Sequence, residues 1–179
     1  MAITEIKPNR IDESIKIQPD KEIGYRLTTE MFVRLPREEV FEFFSDAREL
    51  GRITPSWVNF RMLTPTPVDM HEGTLLDYKI RLHGVPIKWR TEICVWEPCS
   101  RFVDQQVRGP YKKWYHEHIF ESVEGGTLVK DNVHYIVPFG DWVNRLFVQP
   151  DLEKIFRFRH DMLHEIFERR IAERFLAPT

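Results

Sequence analysis

In the stretch WYHEHIF (114–120), Trp114, His116, His118 and Phe120 recur at every second position. An extended strand sends alternate side chains to one face, so two imidazoles and two aromatic rings are expected to point the same way. Imidazole can move protons near neutral pH, ligate a metal, or hydrogen-bond a bound ligand. Lys113 and Glu117 fall on the opposite, solvent face.

The partners of the histidines depend on turn lengths. The link Val123-Glu124-Gly125-Gly126-Thr127 reads as a tight hairpin turn. A two-residue loop at Glu124-Gly125 sets His118 across from Asp131 and His116 across from Val133. A loop at Gly125-Gly126 faces His116 with Tyr135 and Phe120 with Asp131. An odd-length loop turns Asp131 outward, because a one-residue slip flips every side chain. On the other side, a Gly109-Pro110 turn aligns Val103 with His116 and Gln105 with Trp114. Alternation elsewhere puts Leu76, Tyr78, Ile80 and Leu82 inside, together with Ile87, Trp89, Thr91, Ile93 and Val95. The expected lining of polar and aromatic residues is therefore Tyr78, Trp89, Thr91, Gln105, Trp114, His116, His118, Asp131 and Tyr135.

Three chemistries suit this set. His116, His118 and Asp131 could ligate zinc, but a polar cluster satisfied internally is the commoner arrangement, so no metal ligand and no cofactor is expected. A His118–Asp131 pair would orient the imidazole and favour its protonated form, with Tyr135 or Tyr78 donating to a developing enolate. A ring-lined cavity with one polar spot asks least of the residues and suits an apolar ligand bearing one polar group. Nucleophilic catalysis lacks support, since Cys94 is expected to face outward and Ser100 has no evident base. No phosphate-cradling glycine motif occurs.

These residues need a curved scaffold. YRLTTEMFVR, from Tyr25, alternates as a strand, and Pro36 opens a helix over PREEVFEFFSD with acids in its first turn. A second short helix covers ARELGRI. Strands follow at about 58–66, 74–82, 86–96, 101–108, 112–122 and 127–137, an antiparallel meander. Leu152, Ile155, Phe156, Met162, Leu163, Ile166 and Phe167 then keep helical spacing, with a shorter helix carrying Trp142, Leu146 and Phe147 before Pro150. The fold class is α+β: a curved antiparallel sheet of about seven strands wrapped around a long C-terminal helix, with two short helices between the first and second strands. Residues 1–22 read as a polar N-terminal arm and 23–175 as a single ligand-binding domain.

Composition bounds the partners. The 179 residues carry a formal charge of −2 with no dominant basic stripe, so nucleic acid is not an expected partner. Cys94 and Cys99 suggest no disulfide framework, and no apolar run approaches the ~18 residues of a membrane span, so a soluble cytoplasmic protein is expected. At 13% the chain is rich in aromatic residues, fitting either an aromatic core or a ring-lined pocket. RFRH (157–160) and ERRIAERF (168–175) are placed on the outer side of the last helix, where peripheral membrane contact is conceivable.

The segment from Tyr25 to about Phe167 resembles the helix-grip superfamily of START-like lipid carriers, polyketide cyclases and coenzyme Q-binding proteins. The likeness is carried by ITPSW (53–57), PIKWRTEI (86–93), RFVDQQVRGPYKKWYHEHIF (101–120) and GGTLVKDNVHYIVP (125–138), which look like a bacterial ligand-binding subgroup. The resemblance implies a deep apolar cavity between sheet and C-terminal helix, and supplies no catalytic motif. The expected function is binding or carriage of a small hydrophobic ligand: a lipid, quinone, sterol-like molecule or aromatic polyketide. The alternatives are a cyclase, dehydratase or isomerase using a His-Asp-Tyr cluster, and a non-catalytic membrane- or protein-docking module.

Overall fold

The computed structural model describes residues 14–20 and 24–176. Eight strands form one antiparallel sheet in the order β1-β2-β8-β7-β6-β5-β4-β3. They are β1 Lys16–Asp20, β2 Gly24–Val33, β3 Arg61–Met62, β4 Leu75–Leu82, β5 Val85–Glu97, β6 Arg101–Arg108, β7 Lys113–Val123 and β8 Gly126–Ile136. Helix α1 (Arg37–Ser45) and two single 3₁₀ turns, Glu49–Gly51 and Ser56–Val58, lie between β2 and β3. A short helix α2 (Asp141–Val143) runs through a π-helical turn, Asn144–Val148, into the 28-residue helix α3, Gln149–Leu176. This is the helix-grip arrangement. Among the described residues, no helix is long and apolar enough to cross a membrane.

Within the stretch expected as a polar arm, Lys16–Asp20 forms the edge strand β1. Ile15 and Ile17 pack against the core, and Asp20 pairs with Arg26 at 3.1 Å. Residues 1–13 lie outside the described set. The strand expected over 58–66 is reduced to Arg61–Met62. Val58 belongs to a 3₁₀ turn, Asn59 adopts φ 47°, and Pro65 and Pro67 have no N–H to extend a ladder. The expected break before Pro150 is absent. Its ring would press on the carbonyl of Leu146, four residues back, and the widened π-helical turn around Leu146 absorbs it.

Two apolar clusters hold the sheet to the helices. One gathers Phe41 and Phe43 of α1, Phe102, Phe120, and Leu163, Ile166 and Phe167 of α3. The other joins Leu27, Trp89, Trp114, Val133 and Tyr135 of the sheet to Leu152 and Phe156 of α3. Along α3, Arg169 pairs with Glu165 at 2.8 Å and Arg174 with Glu39 of α1, while Glu168 pairs with Arg34 at 3.0 Å.

Candidate functional site

A cavity of about 190 Å³ lies between the concave face of the sheet and α3. Leu76, Tyr78, Ile80 and Leu82 of β4, and Trp89, Thr91 and Ile93 of β5, line it as alternation predicts. Trp114, His116 and His118 of β7 complete the sheet wall, while Leu152, Ile155, Phe156 and Arg159 of α3 face them. Tyr78 stacks on Trp89 at 5.8 Å, and Trp89 meets Trp114 edge-on at 5.6 Å. The buried Trp89 Nε1 and Arg159 Nε have no hydrogen-bond partner among the described residues.

Turn geometry selects the polar wall. Val123 pairs with Gly126, so the β7–β8 turn is Glu124-Gly125, the first of the two even-length registers, and His118 faces Asp131 with His116 facing Val133. Gly125 takes φ +82°, a conformation that costs glycine no Cβ clash. The β6–β7 turn departs from expectation. Gln106 clasps it, its Nε2 donating to Tyr111 O at 2.7 Å and its Oε1 accepting from Tyr111 N at 3.2 Å. The loop is longer than two residues, and Asp104, not Val103, pairs with His116. That one-residue slip turns Gln105 to the outer face, where it donates to Glu92 at 3.0 Å, and brings Asp104 into the cavity. An irregularity between Ile93 and Val95 has the same effect further along β5. Trp96 rather than Val95 thereby joins the inner face, 5.2 Å from the Phe41 ring.

Asp131 and Tyr135 face inward but stand behind the lining rather than in it. Asp131, 4% exposed, places Oδ1 2.7 Å from His116 Nε2 and 2.9 Å from His118 Nδ1. The first contact is an aligned hydrogen bond, whereas His118 Nδ1 has the distance of an ion pair without that alignment. Tyr135 is fully buried and donates its hydroxyl to Asn144 at 3.1 Å. Asp104 closes the cluster from the cavity side, with Oδ2 3.2 Å from His118 Nε2 and 3.6 Å from His116 Nδ1. Thr91 Oγ1 donates to Asp104 Oδ1 at 3.2 Å. The imidazole centroids are 3.8 Å apart, and Phe102 stacks on His118 at 4.3 Å.

The four groups titrate as a unit. Burial pushes both carboxyls up, but hydrogen bonds and charge from the histidines outweigh it, leaving Asp104 lowered and Asp131 well below the usual range. Burial lowers His116, and the neighbouring His118 adds to this against the pull of Asp131. Burial also acts to lower His118, but the two aspartates overcome it and raise the ring above its ordinary value. The arrangement can hold a proton on one ring beside a second ring that resists one. Asp104, His116 and His118 also bring one ligand atom each within 4.8 Å of one another.

The basic segment RFRH is not wholly on the outer side of α3. Arg159 lines the cavity with its guanidinium carbon 5.0 Å from the Phe156 ring centre, and the buried His160 lies 2.6 Å from Thr29 Oγ1. Their phase was present in the sequence, since Arg159 follows Leu152, Ile155 and Phe156 at helical spacing. Asp104 left no such signal, because both alternating sets of RFVDQQVR mix polar and apolar residues.

Residues 33–158 match the model of the family described as polyketide cyclase/dehydrase and lipid transport. No curated protein matches the chain. Protein Ms6760 from Mycobacterium smegmatis is similar in structure, with TM-score 0.64 and 13% identity over 88% of this chain and 99% of that one. The Zhui aromatase/cyclase from Streptomyces sp. R1128 has TM-score 0.64 and 12% identity over 82% of this chain and 94% of its own. At such identities these likenesses establish the fold. Because the family match runs through most of the chain, from the end of β2 into α3, the chain belongs to the polyketide cyclase/dehydrase and lipid transport family.

Proposed function

We propose that the protein binds a compact apolar ligand bearing one polar group, held between the sheet and α3. The observation that carries this reading is an aromatic and aliphatic cavity whose buried donor Trp89 Nε1 has no partner among the described residues. An unpaired buried donor costs about 1–3 kcal/mol, which a ligand oxygen would relieve. Size narrows the class. Cavities of roughly 150 Å³ take a single benzene ring, so about 190 Å³ favours a ligand of one or two rings, such as a quinone or small phenol, over an extended acyl chain or a sterol. Its oxygen belongs at Trp89 Nε1, with Nε of the cavity-lining Arg159 as the second donor left unpaired among the described residues. Tryptophan fluorescence tests the reading: a two-ring quinone or naphthol is expected to quench saturably, with Trp89→Phe weakening binding. Absence of saturable quenching by ring compounds, with none found by native mass spectrometry of fresh protein, would overturn it.

A second reading, acid–base catalysis on the bound ligand, is favoured by the opposite displacement of the two histidine pKa values within one cluster. The His118 imidazolium would donate while His116 accepts. Under this reading His118→Ala and Asp131→Ala abolish turnover but leave ligand affinity nearly intact; loss of affinity in proportion to turnover counts against it.

A further inference from the structure

The histidine–aspartate cluster has an inside and an outside. Both nitrogens that point away from the cavity, His116 Nε2 and His118 Nδ1, face the single oxygen Oδ1 of Asp131 at 2.7 and 2.9 Å. Both remaining nitrogens, His116 Nδ1 and His118 Nε2, face Oδ2 of Asp104 at 3.6 and 3.2 Å. Thr91 holds the other oxygen of that carboxylate. We propose that Asp104, His116 and His118 form a binding site for a first-row divalent metal ion of zinc type, with Asp131 orienting the histidines from behind and Thr91 orienting Asp104 from the side.

Three physical features point there. Ligands at about 2.0–2.1 Å from a tetrahedral ion stand about 3.3 Å from one another, close to the 3.6 and 3.2 Å that separate the two nitrogens from Asp104 Oδ2. Metal-bound histidines hand their other N–H to a carboxylate that fixes tautomer and ring orientation; Asp131 occupies that position for His116 and stands 2.9 Å from His118 Nδ1, within reach of a small ring rotation. Charge balance also favours a dication. The buried Asp131 and the part-buried Asp104 call for two positive charges, yet two imidazolium rings with centroids 3.8 Å apart repel each other. An ion on the two front nitrogens supplies both charges while the rings stay neutral. Two histidines and one carboxylate leave a position open toward the cavity, as in sites that accept water or a further oxygen ligand.

The test uses metal alone, so its outcome is separate from that of the organic ligand. Chelator-treated protein is titrated with Co²⁺, followed by visible absorption and by metal content after gel filtration, and Zn²⁺ is then added as competitor. One equivalent per chain, a d–d band of a four- or five-coordinate ion, and displacement by Zn²⁺ are expected. Asp104→Asn and His116→Gln are expected to weaken binding more than about 100-fold, and Asp131→Asn about 10- to 100-fold, with folding of each variant checked by circular dichroism. The wild-type spectrum is decisive by itself where a variant fails to fold. Absence of stoichiometric binding by the wild type, or wild-type affinity in folded Asp104→Asn and His116→Gln, would overturn the proposal.

Discussion

The gap between the sheet and α3 is filled at one end and hollow in the middle, although the same strands run through both regions. At the α1 end, Phe41 lies 5.3 Å from Phe120 and 6.1 Å from Phe102, edge to face, and Phe43 meets Phe167 at 5.2 Å. Rings there interlock across the gap. In the middle, the rings of Tyr78, Trp89, Tyr111 and Trp114 contact one another along the wall, and Leu76, Ile80 and Thr91 line the hollow beside the one ring contact to α3, His116 with Phe156 at 5.8 Å. The difference lies in direction rather than in composition: aromatic area spent along a sheet leaves space, and aromatic area spent across it removes space.

Emptying the filled end is expected to have the largest effect. Phe120 is 1% exposed, so Phe120→Ala is expected to cost about 3–5 kcal/mol in chemical denaturation. A loss below about 1 kcal/mol would mean that the phenylalanine cluster does not interlock. Next in size is the polar wall. Asp131→Asn removes the carboxylate that both imidazoles face and is expected to cost about 2–3 kcal/mol in metal-free protein.

The pH dependence sharpens the same point. A carboxyl held below its ordinary value stabilises the fold above the unfolded value of about 3.9, and that contribution is lost as pH falls through the folded value. Metal-free wild type is therefore expected to lose stability as pH falls below about 4 more steeply than Asp131→Asn; superimposable acid limbs would contradict this. The smallest stability effect is expected at the hollow. Ile80 lines the cavity, and Ile80→Phe, which adds volume where space exists, is expected to change stability by less than about 1.5 kcal/mol while lowering ring-compound affinity about tenfold or more. Unchanged affinity would place the ligand elsewhere.

Much of the scaffold was legible because period carries face. The inward set of β4, the inward phase of Trp114, His116, His118 and Phe120, and the amphipathic α3 all follow from spacing of two or 3.6 residues. Asp131 opposite His118 was one of two even-turn solutions, and the glycine at 125 with positive φ fits the one adopted. Gln105 was misplaced because the β6–β7 turn length depends on the Gln106 clasp, a side-chain bond invisible to periodicity. Val95 was misplaced because an irregularity in β5 resets phase without a glycine or proline to announce it.

Alternation within the strands, the gripping helix and the inward direction of the two imidazoles can be read along the chain, since they depend on local geometry repeated from residue to residue. That Asp104 faces the rings from the front, that Asp131 supports them from behind and that Arg159 lines the opposite side emerge only on folding. Those positions depend on register across hairpins and on the rotation of a helix over a sheet, and one residue of slip exchanges a glutamine for a carboxylate at the site.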